Sequence, residues 1–164
     1  MNIRFILALA FALSAGVSGA ALAGESTHED HGHHHAQAHR SAAGKPGTAA
    51  AVNRTIAVAM FDTMRYEPSS INVKAGETIR FTVKNRGSLT HEFGIGTLKE
   101  QKAHAEMMKS MPDMKHDDPG VITVEPGQTR ELIWTFSKSG GFQIACHIPG
   151  HYEAGMKATV KVRR

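Results

Sequence analysis

Short segments with alternating apolar and polar residues limit the folds available to this chain. In "TIRFTVKN", residues 78–85, every second side chain is apolar, which is the period of a strand with one buried face. The segment "VITVEPGQTRELIWTF", residues 121–136, predicts two strands around a Pro-Gly turn. Further strands are predicted in "TIAVAMF", "INV", "HEFGIG", "GGFQIAC" and "MKATVKV". Closely spaced short strands separated by Gly and Pro predict an all-β fold, an antiparallel sandwich or barrel.

One helix is predicted between the strands. "TLKEQKAHAEMMKSM", residues 97–111, is rich in helix-forming residues and contains no β-branched residue after Thr97. Pro112 then ends the helical pattern. We therefore expect a short helical insertion followed by a loop. The folded domain is assigned to residues 54–164, a length that supports one modest hydrophobic core.

The N-terminus has the pattern of an export signal. Arg4 precedes the apolar stretch "FILALAFALSAGV", and "ALA" at residues 21–23 is typical of a cleavage site. Residues 1–23 are thus predicted to be a signal peptide, because the apolar run is short for a membrane anchor. Residues 24–53 lack apolar periodicity and are rich in His, Ala, Gly and Ser, which predicts a disordered tail.

The charge balance gives no indication of a nucleic-acid partner. The formal net charge is +4, and removal of the signal peptide with Arg4 leaves +3. The basic residues are spread along the chain, without a basic helix or an aromatic-interleaved patch. No later segment is apolar enough to span a bilayer, so no membrane association is expected after cleavage.

The stretch "ACHIPGHYEAGM", residues 145–156, concentrates metal-ligating side chains. It holds Cys146, the chain's single cysteine, followed by His147, His151 and Met156. One cysteine cannot form an internal disulfide, and a free thiol in an oxidising compartment is vulnerable to oxidation. A bound metal or burial as an inert core thiol would each protect it.

A thiolate, an imidazole and a thioether suit copper better than magnesium or calcium. Two histidines and a cysteine in a trigonal arrangement, with a long axial methionine, make a blue-copper site. The second histidine must come from upstream, and His91 in "GSLTHEFGIG" is the best candidate. Zinc favours a further Cys or His over Met. A Cys-His nucleophile needs an orienting group, and c-type haem attachment needs a second cysteine.

At these residues the chain resembles the cupredoxins, small blue-copper proteins with a Greek-key β-sandwich. The resemblance covers about residues 54–164 and is carried by "YEPSSINVKAGETIRFTVKN", "THEFGIG" and "CHIPGHYEAGM". It implies one type 1 copper ion as cofactor. The ligands it implies are His91, Cys146, His151 and Met156. "HEF", the helical insertion and the His-rich leader are similar to those of periplasmic cupredoxins linked to copper tolerance.

Two positions depart from the family pattern. Glu92 follows the first ligand histidine where plastocyanin- and azurin-like proteins usually have Asn, so the side chain that usually ties the ligand loops together is missing. The Cys-x4-His-x4-Met spacing is closer to multicopper oxidases, but Ala145 replaces their first flanking histidine. His147 should point away from Cys146, because neighbours on a strand face opposite sides. We interpret it as a surface residue or partner contact rather than a second metal ligand.

Two other segments are candidates for further copper ions. The tail contains six histidines, a composition typical of loose metal binding. The segment from His104 to His116 also contains four methionines, and thioethers are soft ligands that suit Cu(I). His104, Met107, Met108 and Met111 have the spacing of one helix face. The same stripe is equally consistent with packing against the sandwich.

These observations lead to a hypothesis of a periplasmic copper-binding protein that handles copper and supports copper tolerance. The alternative is an electron carrier that cycles Cu(II)/Cu(I) between redox partners. Both require copper ions, and both allow a redox or copper-transfer protein partner. An enzymatic role as a copper oxidase or reductase is not expected, because the chain is too short to be a multidomain oxidase and no trinuclear-cluster motif lies in its folded domain.

Overall fold

Ten strands, one α-helix and a short 3₁₀ helix (Ala49–Ala51) make up the secondary structure within residues 41–111 and 118–164, the parts of the chain that this computed structural model describes. The strands are β1 (Gly44–Pro46), β2 (Arg54–Phe61), β3 (Arg65–Glu67), β4 (Ser70–Lys74), β5 (Thr78–Asn85), β6 (His91–Gly96), β7 (Val121–Val124), β8 (Thr129–Phe136), β9 (Gly140–Ala145) and β10 (Lys157–Arg163), and the helix α1 is Leu98–Ser110. The predicted strands and the predicted helix are confirmed, with bounds shifted by a few residues.

The strands form two five-stranded sheets, which confirms the predicted all-β sandwich. The first sheet has the order β1-β8-β5-β2-β3, and the second has the order β4-β10-β9-β6-β7. The antiparallel prediction is wrong for two pairs, since β2 pairs with β5 and β4 pairs with β10 in parallel. The chain leaves the first sheet after β3, contributes β4 to the second and returns as β5. Such crossovers permit parallel neighbours.

The core lies between the sheets and is built from the apolar side of each strand. Phe81 on β5 and Trp134 on β8 are both fully buried. Across the sandwich, the Phe81 ring lies 5.2 Å from the ring of Phe93 on β6, measured between centroids. Because burial of apolar surface is the main driving force of folding, the alternation in the sequence selects which face of each strand turns inward.

The helix α1 starts at a capping box. Thr97 accepts a hydrogen bond from Glu100 N at 3.2 Å, and Glu100 Oε2 accepts one from Thr97 N at 2.6 Å. These bonds satisfy amides that the first turn leaves without partners. Gln101, His104 and Met108 form the buried face of α1. The helix packs against β6 and β9, the two strands that lead to the candidate metal ligands.

The ordered structure begins earlier than the predicted boundary at residue 54. Gly44–Pro46 pairs with β8, and the Glu100 carboxylate accepts hydrogen bonds from Ser41 Oγ at 3.0 Å and Ala42 N at 2.9 Å. The prediction of a disordered tail is therefore wrong for residues 41–53. An edge strand is held by its backbone, so a Gly- and Pro-containing segment can form one without an apolar pattern. The predicted signal peptide and residues 24–40 lie outside the described residues.

Within the residues that the structure describes, no helix combines the length and the apolar character needed to cross a bilayer.

Candidate metal centre

Three of the four predicted ligands meet at one end of the second sheet. His91 opens β6, Cys146 follows β9 directly, and His151 lies in the loop between β9 and β10. His91 Nδ1 is 3.3 Å from His151 Nδ1, and Cys146 Sγ is 3.4 Å from His151 Nδ1. One donor atom from each residue lies within 4.8 Å of the others. This spacing fits three ligands of one ion, since Cu and Zn ligands lie about 2.0–2.3 Å from the metal.

The loop from Cys146 to Met156 is held by its own backbone. Met156 N donates to His151 O at 3.0 Å, and Cys146 N donates to Met156 O at 3.2 Å. Gly150 and Gly155 have φ values of +88° and +101°, a region that glycine enters without steric cost. These two glycines let the short loop turn tightly between its ligands. Met156, the fourth predicted ligand, is fully buried where the loop closes.

Asp62 orients the imidazole of His91. Its Oδ1 lies 3.1 Å from His91 Nε2, so Nε2 carries the proton and Nδ1 presents its lone pair towards the other two donors. Hydrogen bonds from Ser88 hold the pKa of Asp62 well below its usual range. Asp62 could not be identified from the sequence, because it lies 29 residues before His91 and no local pattern connects the two.

The protonation of Cys146 is set by its surroundings. The side chain is fully buried, and burial raises the pKa of the Cys146 thiol to about 12. A metal that binds this sulfur must therefore displace a proton, as thiolate ligation requires. His151 needs no such change, because burial and the neighbouring His91 lower its pKa and favour the neutral imidazole, which is the form that binds metals.

His147 does not lie at the surface as predicted. Its orientation away from Cys146 is confirmed, but the side chain is only 3% exposed because α1 covers this face of the sheet. His147 instead lies beside Glu92 and His104 in a second group of donor atoms. In the sequence, this group was indicated only by the helical stripe that contains His104. His104 and Met108 both lie on the buried face of α1.

The methionines of the segment from His104 to His116 differ in their exposure. Met108 is buried at 4% exposure, whereas Met111 is 44% exposed and Met107 is half-buried. The helical stripe therefore does not present all its methionines to the same surroundings. Met114 and His116 lie outside the described residues.

One thiol and two imidazoles, of which only the His151 ring is partly exposed, fit a copper ion, because soft sulfur and borderline nitrogen donors favour copper. A family model described as copper binding proteins of the plastocyanin/azurin family matches residues 52–163. The chain belongs to this family. The match covers every strand from β2 to β10 and leaves out only β1.

Individual relatives agree with this assignment. The copper-resistant cuproprotein CopI of Rubrivivax gelatinosus is 51% identical over 138 residues, which cover 82% of this chain and 84% of the relative. CopI of Pseudomonas aeruginosa is 41% identical over 158 residues, covering 77% and 85%. The structure of auracyanin B matches with a TM-score of 0.63 at 19% identity, covering 74% of this chain and 96% of auracyanin B. At that identity the likeness concerns the fold alone, and it confirms a cupredoxin sandwich.

Proposed function

We propose that this protein binds a type 1 copper ion, which His91, Cys146 and His151 would hold together with the thioether of Met156. The observation that carries this proposal is the convergence of the three donor atoms within 4.8 Å. When bound, copper would supply a one-electron Cu(II)/Cu(I) couple. The chain supplies a prearranged set of donors, so little movement accompanies binding or a change of oxidation state.

Each protein group has a distinct task in this proposal. Asp62 fixes the tautomer of His91, and such outer partners commonly tune metal affinity. The Cys146 sulfur accepts a hydrogen bond from Glu92 N at 3.3 Å, which stabilises negative charge on sulfur once the proton has left. Burial of His91 and Cys146 keeps water from the ligands, while His151 stays partly exposed.

The physiological role that we propose is copper handling in support of copper tolerance. Both relatives described above carry the name copper-resistant cuproprotein, and the first is 51% identical to this chain. The predicted signal peptide supports a periplasmic location. We assign no catalytic residue, because binding and release of copper require none.

Growth on copper tests this role. Deletion of the gene should lower the copper concentration that the host tolerates, and the wild-type gene should restore it. Cys146→Ser should fail to restore tolerance at equal protein level, whereas the exposed-site variant Glu131→Gln should restore it fully. Unchanged copper tolerance in the deletion strain would contradict the proposed role without affecting the proposed copper site.

Electron transfer is the second candidate function. It is favoured by one observation: His151 is the partly exposed member of the donor group, whereas His91 and Cys146 are fully buried. A ligand that reaches the surface gives an electron a short path to a docked redox partner. An electron carrier needs one copper per chain, whereas a copper-handling protein gains from several, so metal analysis of the copper-saturated protein distinguishes the two.

Further copper sites are part of the copper-handling proposal. The tail histidines are His28, His31, His33, His34, His35 and His39. We expect them to bind Cu(II) as neutral imidazoles, so uptake should weaken below about pH 6.5, the usual histidine pKa. A Cu(I) site formed by Met107, Met111 and Met114 stays a prediction. Replacement of all six tail histidines with Ala in the full chain should lower the copper count and leave the type 1 spectrum unchanged.

A further inference from the structure

A second group of buried donor atoms lies beneath α1, apart from the proposed type 1 site. It consists of Glu92, His104 and His147, and one donor atom from each lies within 4.8 Å of the others. The three residues are 4%, 9% and 3% exposed. Carboxylates and imidazoles are mostly found at protein surfaces, so a cluster of three of them beneath α1 calls for a functional or structural explanation.

The fold creates this group from the same strand ends that carry the first. Glu92 follows His91 on β6, and His147 follows Cys146 at the end of β9. Adjacent residues on an extended chain point to opposite faces. His91 and Cys146 therefore face the first group, whereas Glu92 and His147 face the second. The third member, His104, comes from α1. The Gln101 side chain anchors that helix by donating to backbone carbonyls of β6 and β9, both at 2.9 Å.

The geometry within the group is that of ligands around a common centre. His104 Nε2 lies 3.9 Å from Glu92 Oε2, which is longer than a direct hydrogen bond and short enough for both atoms to bind one ion. Ligand atoms about 2.0–2.1 Å from an ion lie within roughly 4 Å of each other. Small side-chain movements would therefore close the group around a metal.

The surroundings of His147 favour this interpretation over a purely structural one. Neither of its ring nitrogens has a hydrogen-bond partner within the part of the chain that the structure describes. The ring is nonetheless held in place, with the Tyr152 ring stacked on it at 5.9 Å and the His104 ring 4.6 Å away, measured between centroids. A fixed, buried imidazole with both nitrogens unpaired is suited to a metal and is otherwise costly to bury.

We propose that Glu92, His104 and His147 form a second metal site, selective for divalent first-row transition ions. Two imidazoles and one carboxylate are borderline-to-hard donors without sulfur, and they suit Cu(II) and Zn(II) better than Cu(I). The Glu92 carboxylate offsets part of the ion's charge in this buried position. The inference goes beyond the proposed type 1 site, because it uses a different set of side chains and needs no thiolate.

Zinc binding to the full-length chain tests this proposal. The protein is first loaded with one equivalent of Cu(II) and then dialysed against Zn²⁺ buffered by a competing chelator. The wild-type protein should bind one more Zn²⁺ per chain than His104→Gln, and Glu92→Gln should weaken that ion at least tenfold. Glu106→Gln removes the same charge from an exposed position of α1 and should match the wild type. Any zinc on the tail is common to all four proteins.

Two further readouts separate this site from the rest of the molecule. The visible spectrum of the Cu(II)-loaded His104→Gln variant should equal that of the wild type, which shows that the fold and the first site are intact. Crystals of the wild-type protein grown with Zn²⁺ should give an anomalous peak, at the zinc edge, between the three side chains. Equal zinc counts in the wild type and His104→Gln, or saturated crystals without that peak, would overturn the proposal. Neither result depends on whether the first site proves to be type 1.

Discussion

The backbone N–H of Glu92 donates a hydrogen bond to Cys146 Sγ over 3.3 Å. The carboxylate of the same residue accepts a hydrogen bond from His147 N, also at 3.3 Å. Glu92 thus joins the start of β6, which carries His91, to the loop that carries Cys146, at a position where plastocyanin- and azurin-like proteins usually have Asn. The connection that the missing Asn side chain would provide is supplied by a backbone donor and a carboxylate acceptor.

Asp62 should control copper affinity without touching the metal. Asp62→Asn removes the negative charge that holds His91 Nε2 at 3.1 Å, so the imidazole can rotate or change tautomer. We expect the affinity for Cu(II) to fall roughly 10- to 100-fold, measured by competition with a chelator. Glu131→Gln makes the same change in charge on β8 and should leave the affinity unchanged. Equal affinities for Asp62→Asn and the wild type would show that Asp62 is not an orienting partner.

Met156 should tune the reduction potential. Met156→Leu keeps a side chain of similar volume in a fully buried position, a type of exchange that cores tolerate. Copper should stay bound and the potential should rise, because a donor to Cu(II) is lost. Voltammetry of the copper protein measures the change, with the buried core variant Met60→Leu as control. A potential that stays at the wild-type value would argue against an axial thioether.

Met108 and Met111 should differ sharply in their effect on stability. Met108 is 4% exposed on the buried face of α1, whereas Met111 is 44% exposed at the C-terminal end of the helix. Met108→Ala should lower the free energy of unfolding by about 2–5 kcal/mol, and Met111→Ala by less than about 0.5 kcal/mol. Urea unfolding of the copper-free variants gives both values. Similar losses at the two positions would contradict the division of the methionine stripe.

Glu100 should stabilise the protein at neutral pH and lose that effect in acid. Burial alone would raise the pKa of Glu100, because it disfavours the charged carboxylate. Hydrogen bonds from Thr97, Ala42 and Ser41 have the larger combined effect, so the pKa is lowered. A lowered pKa in the folded state gives stability that is present above the unfolded value of about 4.3 and is lost as pH falls through the folded value.

Glu100→Gln weakens the capping box and the contact with the segment before β1. It should cost about 1 kcal/mol at pH 7, and this cost should shrink at pH 3. Urea unfolding at both pH values, with the exposed-site variant Glu106→Gln as control, measures the difference. A cost that is the same at both pH values would show that the charge of Glu100 is not involved.

Local patterns were sufficient to predict most elements of the fold. Alternation identified β5 and β8, because a two-residue period leaves one face for the core. The helix-forming residues of 97–111 and the following Pro112 identified α1, because both signals are local in the sequence. His91, Cys146 and His151 could be selected from residue chemistry and loop composition, and the structure brings their donor atoms together.

Features that depend on distant contacts could not be predicted in this way. The parallel pairing of β2 with β5 depends on the path of the chain between them, which passes through β4 of the second sheet. The pattern of residues within a strand does not specify that path. β1 is held by backbone pairing and carries no apolar signal. Asp62 reaches its site from a part of the chain 29 residues before His91. His104 reaches its site from α1. His147 was misjudged because the helix that buries it is not adjacent in sequence.

The visible absorption spectrum of the Cu(II)-loaded protein tests the central claim, a thiolate-bound copper at Cys146, most directly. The wild-type protein should show an intense sulfur-to-copper charge-transfer band, and the control variant Tyr152→Phe should keep it. Cys146→Ser removes the only thiol of the chain and should abolish the band while other copper-binding residues remain. A strong band that survives in Cys146→Ser, or a copper-saturated wild-type protein without one, would contradict the account.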